Sequence, residues 1–273
     1  MTLHVSHFVR NGELQTAYND VGGGDNTPFV LVHGFTGSKL DFANQISWFS
    51  DDRRVISFDQ RGHGETTNSG PYDLYTLAGD LLRFLDAVEI AECHILGHSL
   101  GGMVVMRALL SAPDRIRSAI LMDTAPAALN LIPAKIRAQL NTLVEQGGCA
   151  ALLDGMRGQP QNASVQRGIS YLGEQEHWRR IHTKLEQMDP QAFVELGNVL
   201  ADHPAVTRQL SSLTMPTTII VGADDSPFLQ PSREMAKQLP QSQLQIVPNA
   251  GHSPQYENHL AWRDAIEAHL AQF

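Results

Sequence analysis

Short, largely apolar runs that end abruptly at glycine, histidine, aspartate or proline set the narrowest limits on how this chain can fold. Residues 29–32 stop at His33-Gly34, 55–58 at Asp59, 94–96 at Gly97, 119–122 at Asp123, 218–221 at Gly222 and 244–247 at Pro248. Runs of that length bounded by breakers suit strands buried on both faces, as in a parallel sheet. Between them lie helical patterns over residues 75–87, 100–111, 232–239 and 260–270. Strand–helix alternation of this kind builds βαβ units and covers a parallel sheet on both sides. The predicted fold is therefore α/β, with a mostly parallel central sheet flanked by helices. Upstream, residues 14–20 alternate weakly, and 21–26 form a glycine-rich turn. Polar and glycine residues gather at the C-terminal ends of the strands, where open α/β sheets place their ligands.

One stretch breaks the rhythm. Residues 126–210 hold no convincing strand, and helical patterns run over 136–146, 163–172 and 191–200. We read 126–210 as a helical cap inserted into a core made of residues 1–125 and 211–273. A chain of 273 residues with 42% hydrophobic and 18% charged residues can bury such a core, and the composition is that of a globular protein rather than a disordered one. The net charge of −9 offers no electrostatic footprint for nucleic acid or an anionic membrane surface. No apolar stretch approaches the roughly 20 residues that span a bilayer. Residues 1–5 lack the pattern of a signal peptide, so a cytoplasmic location is expected. Cys93 and Cys149 are too few for a disulfide framework.

Gly97-His98-Ser99-Leu100-Gly101-Gly102 follows a predicted strand and opens a helix. That context turns a loose G-x-S-x-G match into a nucleophile elbow. Turning from strand to helix at one residue crowds the positions two before and two after it, and glycine at 97 and 101 removes the clashing Cβ atoms. Ser99 would then sit in a strained conformation with its hydroxyl above the sheet. The amide of Leu100, at a helix N-terminus, would face developing negative charge.

With His33-Gly34-Phe35-Thr36-Gly37, Asp59-Gln60-Arg61-Gly62-His63-Gly64, Gly222-Ala223-Asp224-Asp225 and Asn249-Ala250-Gly251-His252 in order around that elbow, the chain resembles the α/β-hydrolase superfamily over nearly its whole length. The resemblance implies an oxyanion hole from the backbone amides of Phe35 and Leu100. It gives His33 the work of holding its loop together, and gives Asp59, Arg61 and His63 a scaffolding role, although a functional His63 stays open. Twelve histidines leave the base undecided by residue type. His252, just past the last predicted strand, stands where the family's histidine stands, and the order Ser, Asp, His agrees. The G-x-x-D pattern selects Asp225 as the acid, with Asp224 a competitor and Asp123 a more distant option. His98 is expected to pack or bond locally. His4, His7, His177, His182, His203, His259 and His269 read as surface or cap residues, with no spacing that points to a metal. No metal and no cofactor is implied.

Serine at the elbow argues against the haloalkane dehalogenases and epoxide hydrolases of this fold, which use aspartate there. The expected reaction is hydrolysis of a small-molecule carboxylic ester or lactone of modest size, acyl-homoserine lactones included, through an acyl-enzyme on Ser99. Carbon–carbon bond hydrolysis, thioester hydrolysis and perhydrolysis are the alternatives within the fold; slow hydrolysis by a small-molecule receptor is the alternative outside enzymes. Phe35, Met103, Phe228 and, from the cap, Tyr171 and Trp178 are the expected pocket walls.

Overall fold

The computed structural model describes residues 6–273; Met1 to Val5, and with them His4, lie outside the described residues. Eight strands form one sheet: β1 (His7–Asn11), β2 (Leu14–Gly22), β3 (Asn26–Val32), β4 (Arg53–Phe58), β5 (Cys93–His98), β6 (Ile116–Met122), β7 (Thr217–Gly222) and β8 (Ser242–Val247). Their spatial order is β1-β2-β4-β3-β5-β6-β7-β8. Pairing is antiparallel on both sides of β2 and parallel from β4 through β8.

The apolar runs are continuous because both faces of the sheet are covered. Val30, Val32 and Ile56 face one core cluster, whereas Phe29, Leu31 and Val55 face the other. That is the two-residue period of a strand. Helices α1 (Leu74–Ala87) and α2 (Leu100–Ser111) pack on the first face through Leu81, Phe84, Val104 and Ala108. Asp73 caps α1 by accepting hydrogen bonds from the amides of Tyr75 and Thr76. The second face is covered from the C-terminal end of the chain.

Between β6 and β7 the described residues contain no strand. They form α3 (Ala134–Gly147), α4 (Leu152–Gly158), α5 (Ala163–Leu172), α6 (Glu174–Glu186) and α7 (Pro190–Ala201). The sequence patterns anticipated α3, α5 and α7 but neither the short α4 nor α6, the latter with a heavily charged surface. Glu176 pairs with Arg179 at 2.6 Å and Arg180 at 2.7 Å, three and four residues on, which supports a helix whose apolar face is only the narrow stripe of Trp178, Ile181 and Leu185. After β7 come α8 (Ser226–Gln238), α9 (Pro254–Glu257) and α10 (His259–Leu270). Trp262, Ile266 and Leu270 of α10 fill the second face of the sheet. Helix α8 starts six residues before the expected 232, because Pro231 lies inside it rather than marking its start. Strand β1 is an edge strand of mostly exposed residues, so it carries no apolar alternation to betray it. Among the described residues no helix is long and apolar enough to cross a membrane.

Candidate active site

Ser99 joins β5 to α2 with φ 53° and ψ −118°. A non-glycine residue held there costs on the order of 1–3 kcal/mol, which its surroundings must impose. They do so by close approach. A Cβ on Gly97 would fall 2.7 Å from the Gly101 carbonyl oxygen, and one on Gly101 would fall 2.4 Å from the carbonyl oxygens of Val32 and His33. The Ser99 amide donates to Met122 O at 2.9 Å, and the Thr124 hydroxyl donates to Ser99 O at 2.6 Å.

The loop after β8 brings His252 to the elbow. Ser99 Oγ lies 3.0 Å from His252 Nε2, and His252 Nδ1 lies 2.7 Å from Asp225 Oδ2. Asp224 points away: its side chain is 54% exposed and pairs with Arg167 at 2.9 Å. Asp123 is fully buried behind Asp225, and its Oδ1 accepts the Gly222 amide at 2.9 Å. Burial, then the neighbouring Asp225 carboxylate, hold the Asp123 carboxyl well above the usual carboxylate range. Among the described residues Asp123, Asp225 and His252 are the group whose ligand atoms, all within 4.8 Å of one another, could approach a cation. His252 Nδ1 has no free lone pair while it donates to Asp225.

His33 holds the loop after β3 by donating from Nδ1 to Gly34 O at 2.8 Å and accepting the Gln60 amide on Nε2 at 3.0 Å. Burial lowers its pKa to about 4, which keeps Nε2 free to accept. The loop lies so near the elbow that a Cβ on Gly34 would sit 3.0 Å from Ser99 Cβ. The backbone amides of Phe35 and Leu100, one on each side of this contact, have no acceptor among the described residues. The Asp59–Gly64 segment is tied down rather than free. Asp59 pairs with Lys39 at 2.6 Å, Arg61 grips Asp80, and His63 Nδ1 lies 3.1 Å from Arg61 O.

Sequence reasoning missed two holding groups. His98, expected to bond locally, reaches 154 residues along the chain to the His252 carbonyl oxygen at 2.7 Å. Glu257 accepts the Gly251 amide at 2.8 Å and the Ser253 amide at 3.0 Å, clamping both flanks of His252, and Arg167 of α5 binds the same carboxylate at 2.8 Å. No local motif announces either contact.

An apolar cavity of about 230 Å³ opens over Ser99 and His252. Phe35 lines it as expected, but the rest of the wall comes from residues 126–210: Leu129, Leu140, Phe193 and Leu200, with Arg137 and Asn141 as polar members. The other four expected wall residues are elsewhere. Met103 is buried in α2 against the sheet. The Phe228 ring packs 4.8 Å from the His252 ring and is buried behind it. The Tyr171 ring lies 4.4 Å from that of His259, and Trp178 is covered by the Arg157 guanidinium at 5.4 Å. His269, expected at the surface, is buried between the hydroxyls of Ser118 at 2.7 Å and Thr218 at 2.8 Å.

The chain belongs to the alpha/beta hydrolase fold family, which it matches over residues 27–259. It is 26% identical to an sn-1-specific diacylglycerol lipase of Mus musculus, across 94% of this chain and 86% of that one. Among solved structures it superposes on a thermophilic esterase from Thermogutta terrifontis with a TM-score of 0.82 and 24% identity, covering 98% of both chains. The enol-lactonase from Burkholderia xenovorans LB400 gives a TM-score of 0.83 at 20% identity, over 97% of this chain and 100% of that one. At these identities the two structures speak to the shared fold.

Proposed function

We propose that this protein is a serine hydrolase that cleaves a carboxylic ester or lactone of modest size through an acyl-enzyme on Ser99. The observation that carries the reading is the unbroken line from Ser99 Oγ to His252 Nε2, 3.0 Å, and from His252 Nδ1 to Asp225 Oδ2, 2.7 Å. As Oγ attacks the carbonyl carbon, its proton passes to Nε2, and the Asp225 carboxylate stabilises the imidazolium. The amides of Phe35 and Leu100 donate to the oxygen that takes up the negative charge. Collapse breaks the bond to the alcohol oxygen, which leaves with the proton from His252. Water then gives a proton to His252 and attacks the acyl carbon, and Ser99 regains its proton as the acid departs. With a lactone the alcohol stays tethered until that water step frees the hydroxy acid. The helices of residues 126–210 act as a cap that walls the acyl side.

Ser99→Ala tests this directly. Turnover of a p-nitrophenyl ester and of a lactone panel should fall roughly a million-fold, with the circular dichroism spectrum unchanged. In the parent protein, intact mass should show an acyl adduct confined to Ser99. A variant retaining more than a few per cent of activity would overturn the mechanism.

A further inference from the structure

Ser99 and His252 line a second, chemically opposite space. Besides the apolar cavity, a cleft of about 190 Å³ opens on the same two side chains, walled by Thr36, Asp41, Lys184, Gln255 and Tyr256. Lys184 Nζ and Asp41 Oδ1 are 2.5 Å apart, so the charges in this wall cancel while two ammonium hydrogens remain to donate. Gln255 is 1% exposed, yet its Oε1 has no hydrogen-bond partner among the described residues. A buried amide oxygen left unpaired costs about 1–3 kcal/mol, so it calls for a donor from a ligand or water. Past Lys184, Ser253 and Tyr256 the cleft adjoins a further space of about 190 Å³, where His177 Nε2 is also buried without a partner.

From this geometry we infer that the leaving group of the substrate is a neutral alcohol bearing several hydroxyls, bound in the polar cleft while the acyl chain fills the apolar cavity. The inference rests on the serine-hydrolase reading above and gives that site a substrate class. Neutrality follows from the closed Lys184–Asp41 pair, which leaves no unmatched charge for an ionic leaving group. The hydroxyls follow from the mix of donors on Lys184 and an unpaired acceptor on Gln255. The assignment of sides has a mechanistic reason as well. The deacylating water must approach along the path the alcohol vacates, and a polar cleft can hold that water whereas the apolar cavity cannot.

The test compares esters of one acyl group on the parent enzyme, all below their micellar concentrations. The set is 1-octanoylglycerol, its 2,3-di-O-methyl ether, propyl octanoate, octyl glycerate and p-nitrophenyl octanoate. The methyl ether keeps the inductive effect of glycerol and removes its donors. The expected result is a kcat/KM for 1-octanoylglycerol at least tenfold above both the ether and the propyl ester. Lys184→Met should then shrink that ratio to about twofold. Rates for the three octanoates within twofold of one another, with p-nitrophenyl octanoate cleaved normally, would overturn this inference and leave the hydrolase standing. Preference for octyl glycerate would overturn the assignment of sides. Failure to cleave any ester, p-nitrophenyl octanoate included, would overturn the hydrolase reading and this inference with it.

Discussion

His98 Nε2 donates to the carbonyl oxygen of His252 at 2.7 Å, so the residue before the elbow serine holds the backbone of the residue facing that serine. Burial, then the nearby His252, lower the His98 pKa to about 3, and the neutral ring keeps this donor geometry at working pH. The two imidazoles, with centroids 5.0 Å apart, therefore have different tasks.

This contact yields a prediction. His98→Phe keeps most of the volume but takes the donor from the part-buried His252 carbonyl, a loss of about 1–3 kcal/mol. If about half of that falls on the reactive alignment, kcat drops on the order of tenfold while KM stays within twofold. His98→Gln, which restores an N–H donor, should recover part of the rate. Equal kcat values for the parent and His98→Phe would remove His98 from the alignment of His252.

The acid position gives a sharper contrast. Asp225→Asn should lower kcat on the order of 10⁴-fold, by analogy with the same change in a serine protease triad. Asp224→Asn should cost far less, because that carboxylate is over half exposed and faces Arg167. Asp123→Asn should be mild as well. An asparagine can accept the Gly222 amide as Asp123 does, it tolerates the Asp123 φ of 44°, and it keeps the uncharged form that burial favours at Asp123. Steady-state kinetics on one p-nitrophenyl ester separates the three variants. A severe Asp123→Asn defect with a mild Asp225→Asn defect would move the acid role to Asp123.

Acid should unfold this protein early. Burial lowers His33, His94 and His269 to about 4, and His63 and His98 to about 3, from an ordinary value of 6.5. Below 6.5 the unfolded chain takes up protons that the folded chain refuses. Stability is therefore complete above about pH 6.5 and declines as pH falls toward 4, by up to about 1.4 kcal/mol per pH unit for each group. Urea midpoints from pH 8 to 4.5 should be flat at first and then fall steeply below 6.5. His269→Gln should flatten part of that fall. A midpoint constant from pH 7 to 5 would count against the buried, neutral histidines.

The elbow turn at Ser99 was legible because its requirement is steric and local: Gly97 and Gly101 stand where a Cβ would strike backbone. The sheet was legible because burial on both faces writes continuous apolar runs. The cavity wall was not, for a physical reason. Phe193, Gly197 and Leu200 form one face of α7 at helical spacing, and such a face reads the same whether it meets a sheet or a cavity. Met103 and Phe228 were mistaken for wall residues on that ground. His269 was readable after all. Trp262, Ile266, His269 and Leu270 share the inward face of α10, so the histidine's helical position outweighs its polarity.

Helices α3–α7 should affect catalysis in two separable ways. Leu140 and Phe193 line the apolar cavity and supply no polar group to the Ser99–His252–Asp225 line. Leu140→Trp should fill that space and shift the optimum toward shorter acyl chains, and Phe193→Ala should shift it toward longer ones. Neither should slow phosphonylation of Ser99 by a small organophosphate that needs little pocket. Arg167 belongs to the same helical segment but does other work. It bridges Asp224 at 2.9 Å and Glu257 at 2.8 Å, the first beside Asp225 and the second clamping both amides that flank His252. Arg167→Met leaves the Glu257 carboxylate without its cation and loosens the loop that aims the base. It should therefore lower kcat about tenfold for every chain length alike, and slow phosphonylation by a similar factor. The measurements are kcat/KM across acyl length and the second-order rate of inhibition for all three variants. A change in chain-length ranking in Arg167→Met, with phosphonylation at the parent rate, would assign Arg167 to the pocket instead.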